Sequence, residues 1–105
     1  MILHLAAFTW KDDVTAADIA ELTSQLRDMA AQIPELRSYH CGPNLRVRPS
    51  PADYGVAATV EDTRALEAYL DSPVHAAVYE RLLGRMIAER VAVQLELDLG
   101  AGAGP

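Results

Sequence analysis

Residues 62–98 read DTRALEAYLDSPVHAAVYERLLGRMIAERVAVQLELD, and this stretch decides the fold. Asp62 is a residue type that caps helix N-termini, and it precedes Thr63 to Leu70, whose Leu66, Tyr69 and Leu70 share one helical face. Ser72-Pro73 then supplies a fresh cap with proline at the first helical position, so the chain breaks and starts again. The second helix is predicted to run to about Glu89, with His75, Val78, Tyr79, Leu82 and Met86 as its inner stripe. From Val91 the period changes to two: Val91, Val93, Leu95 and Leu97 alternate with Ala92, Gln94, Glu96 and Asp98, the pattern of a strand.

Working outward towards the N-terminus, Tyr54 to Val60 is a strand with Tyr54, Val56, Ala58 and Val60 on one side. Before it lies a loop holding Pro49 and Pro51, and before that Leu36 to Cys41 is a short strand closed by Gly42-Pro43. Ile19, Leu22, Leu26, Met29 and Ile33 recur at helical spacing behind the capping box of Thr15 and Asp18, and Pro34 stops that helix. Ile2 to Trp10 opens the chain as a strand with Ile2, His4, Ala6, Phe8 and Trp10 on one side. The order strand, helix, strand, strand, helix, strand is the ferredoxin-like βαββαβ pattern. It makes an α+β fold, a four-stranded antiparallel sheet with its helices on one face. Leu3, Leu5 and Ala7 then lie on the uncovered face, too apolar to leave in water, and a face-to-face homodimer would bury them. One domain is expected over residues 1–99, with a disordered Gly/Ala tail at 100–105.

The chain has 105 residues, a size that serves a single core, and that core is thin: 18 residues are alanine and six are aromatic. Nine Lys plus Arg against 15 Asp plus Glu leave a net charge of −6, the wrong sign for following nucleic-acid phosphates. Lys11 is the sole lysine and stands at a strand end, a poor place for Schiff-base chemistry. A lone cysteine, Cys41, excludes an internal disulfide and fits a reducing compartment. There is no long apolar run for a membrane and no leader-like N-terminus, so a cytoplasmic location is expected. His4, His40 and His75 are scattered without metal-ligand spacing, and no GxGxxG, Walker loop or GxSxG elbow is present. The expectation is therefore no metal and no cofactor.

His75 falls at the third position of the helix capped by Ser72. There the unpaired N–H groups and the dipole disfavour a second positive charge, and burial acts in the same direction. A neutral imidazole at pH 7 is available as a general base, or else is a core histidine bonded to a carbonyl or to Tyr69. Tyr69 sits on the inner face of the preceding helix, where its hydroxyl would donate to a carbonyl or enolate oxygen or bridge core and rim. His4 alternates inward with Ala6 and Phe8, towards the side of Val56 and Ala58. These three polar groups would converge on a cavity given room by Ala6 and Ala58. Its expected substrate-binding wall is completed by Phe8, Trp10, Leu22, Tyr54, Val56, Leu66, Val78, Leu82 and Met86. His40 and Cys41, as strand neighbours, point to opposite faces and make no nucleophile–base pair.

His4 in a strand ending at Lys11, Ile33-Pro34, Gly42-Pro43-Asn44, Asp53, and Ala68-Tyr69 followed by Ser72-Pro73-Val74-His75 together resemble the stress-responsive dimeric α+β barrel (Dabb) domain family. In this family two ferredoxin-like chains pack sheet to sheet. The tyrosine and histidine spaced six apart across the helix break are similar to those of the family's plant olivetolic acid cyclase, and His4 is similar to the histidine of its first strand. One position departs: Tyr54 stands where that enzyme carries a further pocket histidine. The resemblance implies a cofactor-free cyclase that closes a polyketide-like, carbonyl-rich apolar substrate, such as a thioester-linked polyketide, by intramolecular aldol chemistry. His75 would be base, Tyr69 oxyanion donor and His4 orienting partner. Two other functions fit the same architecture, a non-catalytic stress-responsive dimer that binds a small apolar molecule and a cofactor-free monooxygenase.

Overall fold

The computed structural model describes residues 1–98, so the expected tail at 100–105 lies outside the described residues. Strand β1 (Ile2–Trp10) leads to helix α1 (Ala16–Ala31), strand β2 (Ser38–Pro43) and strand β3 (Tyr54–Val60). Helices α2 (Thr63–Leu70) and α3 (Pro73–Val78), a π-helical turn (Tyr79–Leu83) and helix α4 (Gly84–Met86) follow, before strand β4 (Ile87–Glu96). The strands form one antiparallel sheet in the order β2-β3-β1-β4, with the helices on one face, as the ferredoxin-like pattern requires.

Local chemistry sets the helix starts. The Asp18 N–H donates to Thr15 Oγ1 at 3.1 Å while the Thr15 N–H donates to Asp18 Oδ2 at 3.0 Å, closing the capping box of α1. Asp62 Oδ1 accepts from the Ala65 N–H at 2.8 Å, and Ser72 Oγ accepts from the Val74 N–H at 3.2 Å with Pro73 at the first helical position.

Two boundaries differ from the sequence expectation. Strand β2 begins at Ser38 rather than Leu36 and extends to Pro43, because its partners run from Thr59 to Tyr54 on β3. The second helical run ends at Met86, not Glu89, and β4 starts four residues earlier than Val91. Ala88, Glu89 and Arg90 are good helix formers, but Thr9 pairs with Glu89 and Phe8 with Arg90. Pairing along the far half of β1 therefore overrides propensity.

The core lies between sheet and helices. Ala6, Phe8, Tyr54, Val56 and Ala58 of the sheet meet Leu22, Leu26 and Met29 of α1, and Tyr69, Val78, Leu82 and Met86 of the later helices. The opposite sheet face carries Leu3, Leu5 and Ala7 of β1 beside Leu95, Val93 and Val91 of β4, in direct register. Val91 is 68% exposed in the single chain and Val93 50%, so this face is an apolar surface that none of the described residues covers.

Candidate active site

The antiparallel register builds the floor of a cavity in transverse rows. Tyr39 pairs with Ala58, Ala58 with His4, and His4 with Gln94, so one row presents two rings with the small Ala58 between them. The next row, Cys41, Val56, Ala6 and Ala92, is low, and the row beyond it ends with Tyr54, Phe8 and Arg90. Tyr69 descends from α2 onto the first row. Its ring packs edge-on against His4 with centroids 6.0 Å apart, against Tyr39 at 6.3 Å and against His75 of α3 at 5.3 Å. The break at Ser72 lets this happen: it turns the chain between Tyr69 and His75, so that both project onto the same spot.

The resulting cavity is small, about 50 Å³, and His4, Tyr69 and His75 all line it. Ala6, Phe8 and Val56 supply the floor, and Leu26, Leu70, Tyr79, Leu83 and Ile87 enclose it, with Tyr39 and Arg90 as further polar members. Of the expected wall, Ala6, Phe8 and Val56 border this cavity. Trp10, Leu22, Tyr54, Ala58, Leu66, Val78, Leu82 and Met86 are not among the residues bordering this cavity, but pack in the core or against it. Leu22 of α1 and Tyr54 of β3 lie away from the cavity, where the Tyr54 hydroxyl and Thr23 Oγ1 share a hydrogen bond of 2.8 Å and the Tyr54 ring stacks on Phe8. Along the later helices Val78, Leu82 and Met86 stay in the core while His75, Tyr79 and Leu83, four residues apart in turn, face the cavity. The π-helical turn between them carries Tyr79 and Leu83 at its ends.

His4 is only 2% exposed and its ring is anchored by Gln94, whose amide nitrogen lies 3.0 Å from Nδ1. With that amide donating, Nδ1 accepts and the ring proton resides on Nε2. Burial pushes the His4 pKa below 6.5, and the positive charge of Arg90 adds to this. His75 is lowered in the same way, first by burial and then by Arg90. Both imidazoles are therefore neutral at pH 7, and among the described residues His75 is held by ring packing rather than by a side-chain hydrogen bond. The Tyr69 hydroxyl is pushed up to about 12 by burial, against the opposing pull of the hydrogen bond from Tyr39 and of Arg90. Burial drives Tyr39 well above the ordinary tyrosine value. Tyr69 is thus the more acidic of the pair. Sequence reasoning missed Tyr39, Gln94 and Arg90. The first two depend on the register of four strands, and Arg90 was hidden by its assignment near a helix end.

Among the described residues no cluster of three or more His, Cys, Asp or Glu side chains is placed to hold a metal ion, and no helix is long and apolar enough to cross a membrane. Comparison with known proteins agrees with this architecture: the model of the stress responsive A/B barrel domain matches residues 2–97. The chain belongs to that family. An uncharacterized protein of Streptomyces coelicolor is 34% identical over 79 residues, covering 73% of this chain and 81% of that protein. A dimeric ferredoxin-like protein of unknown function from Thermobifida fusca superposes with a TM-score of 0.84 at 35% identity, covering 91% of this chain and 90% of the other. The hydroxynitrile lyase of Passiflora edulis shares the fold, with a TM-score of 0.79 at 12% identity over 93% of this chain and 94% of its own.

Proposed function

We propose that this A/B barrel domain is a cofactor-free enzyme of proton-transfer chemistry that closes a ring in a carbonyl-rich substrate. The observation that carries the proposal is the convergence of a neutral His75, the Tyr69 side chain and a fixed His4 on one cavity. His75 would remove a proton from a methylene flanked by carbonyls, while the Tyr69 O–H donates to the oxygen that gains charge. The enolate carbon then attacks a second carbonyl of the same molecule. A C–C bond forms, and the new alkoxide takes a proton, from the His75 imidazolium or through Tyr69. His4, with its proton on Nε2, holds the Tyr69 ring edge-on. Holding both ends of the substrate in one site supplies much of the acceleration, because ring closure otherwise pays for ordering the chain.

A cavity of about 50 Å³ is far below the ~300–1,000 Å³ of pockets that enclose drug-sized ligands. It takes the reacting end of a substrate, and the apolar remainder or a thioester arm would lie outside. The working unit is a homodimer, sheet face to sheet face, supported by the exposed Val91, Val93 and Leu95 beside the half-buried Leu3 and Leu5, and by the dimeric state of the Thermobifida fusca relative. The test is turnover of a short synthetic 3,5,7-trioxo thioester, whose C2 can attack the C7 carbonyl to close a six-membered ring, followed by the absorbance of the cyclised product. His75→Ala and Tyr69→Phe are each expected to lower kcat by roughly 10²–10⁴-fold with unchanged circular dichroism. Full turnover in both variants, or no turnover by the native protein, leaves a binding dimer as the function. Consumption of dioxygen instead identifies a monooxygenase.

A further inference from the structure

The cavity has an electrostatic character that the proton-transfer reading does not require. The protein as a whole carries 15 acidic against nine basic residues, yet no Asp or Glu lines this cavity, and its one full positive charge is Arg90. Arg90 reaches the site from β4 because Phe8 and Arg90 are register partners, which places it on the helix-covered side, one row beyond Ala6. Its charge acts on all three central groups: it disfavours protonation of His4 and His75 and favours ionisation of Tyr69. The guanidinium is in none of the ion pairs seen among the described residues, whereas Arg37, Arg46 and Arg85 are each matched with a carboxylate. Arg90 is exposed and stands at the edge of a cavity whose lining holds two neutral imidazoles and tyrosine side chains, so it presents donors there with no carboxylate in that lining to compete.

The geometry points to an anionic ligand: Arg90 is a specificity residue that selects a substrate bearing a carboxylate next to its reacting carbonyl. This inference rests on the reading of the cavity as a substrate site and names the class of molecule that the site takes. The carboxylate would lie on Arg90 at the rim, and the carbonyl on Tyr69 and His75 within. A carboxylate there also offsets the guanidinium's effect on the imidazoles, so the bound anion makes His75 a stronger base than it is in the empty site.

The test uses pyruvate and its neutral isostere pyruvamide as probes, with the His4 and His75 ring signals of the intact protein followed by NMR. Pyruvate is expected to shift both rings saturably and to bind roughly tenfold more tightly than pyruvamide, the range of a hydrogen bond to a charged group. Arg90→Gln is expected to bring pyruvate down to the affinity of the amide, and Arg90→Lys to keep part of the difference. Salt should narrow the gap in the native protein and leave that of Arg90→Gln unchanged. Equal binding of acid and amide, no saturable shift with either probe, or an undiminished preference in Arg90→Gln overturns the assignment. The chemistry fails separately. Native protein that binds the acid selectively but never exchanges pyruvate's methyl protons with solvent refutes the catalytic reading alone.

Discussion

His4 and His75 arrive at the same cavity by different routes, one from the sheet floor and one from a helix start, and both are held neutral by burial and by Arg90. Their pKa values are lower in the folded chain than the unperturbed 6.5. Below pH 6.5 the unfolded chain therefore binds more protons than the folded one. Stability is complete above that pH and falls as acid carries the solution from 6.5 down through the lowered folded values. Chemical denaturation midpoints measured from pH 8 to pH 5 should drop over this window, and the drop should shrink in His4→Phe and His75→Leu variants that remain folded. An unchanged slope in both removes the claim that the imidazoles are buried neutral. The activity should likewise survive to a pH below 6.5 before the base becomes protonated. Gln94→Leu removes the donor to His4 Nδ1 and should cost about 1 kcal/mol in urea titration, since the bond is partly exposed. Much of this site is legible in the sequence. The period of two in β1 turns His4 inward, and the Ser72-Pro73 restart puts Tyr69 and His75 side by side. Gln94 and Tyr39 escape notice because their roles depend on which residues of four strands share a row, a property of register that no single segment displays.

At the scale of elements, β1, β3 and α2 fall where sequence periodicity and capping put them, and α1 ends within a residue or two of the expected stop. These segments are bounded by strong local signals: Thr15 with Asp18, Pro34, and Asp62. The last helical run is the exception, since its C-terminus is decided by pairing with a distant strand and by a π-helical turn, neither of which leaves a mark in hydrophobic spacing. Gly84 directly follows this turn, as the first residue of α4. A Cβ there would stand 3.0 Å from the Tyr79 carbonyl oxygen and 2.9 Å from the Tyr79 ring. The ring can swing aside, but the carbonyl is fixed in the helix. Gly84→Ala should therefore lose about 1–2 kcal/mol despite the better helix propensity of alanine, and displace Tyr79 from the cavity rim. Thermal melting measures the first effect and the Tyr79 ring resonances the second. An increase in Tm would show that the turn relaxes without loss.

For the molecule as a whole, the sheet divides two tasks: its helix-covered face holds the candidate site, and its open face carries the apolar rows of β1 and β4. The second face was foreseen from Leu3, Leu5 and Ala7, and the register adds Val91, Val93 and Leu95 to it. A charge placed there should separate the proposed dimer without touching the cavity. Val93→Glu is expected to halve the mass measured by light scattering, while the His4 and His75 signals stay in place. Retention of the native mass would mean that the partner docks elsewhere.

The central claim is that His75 takes a carbon-bound proton from a carbonyl compound seated on Tyr69. It is tested most directly by incorporation of solvent deuterium next to the carbonyl of pyruvate, with native protein, His75→Asn and Tyr69→Phe compared at equal concentration in D₂O. The account predicts exchange above the buffer rate with native protein, loss to the buffer rate in His75→Asn and a strong reduction in Tyr69→Phe. Exchange that is equal in all three, or absent from the native protein while pyruvate is bound, would contradict it.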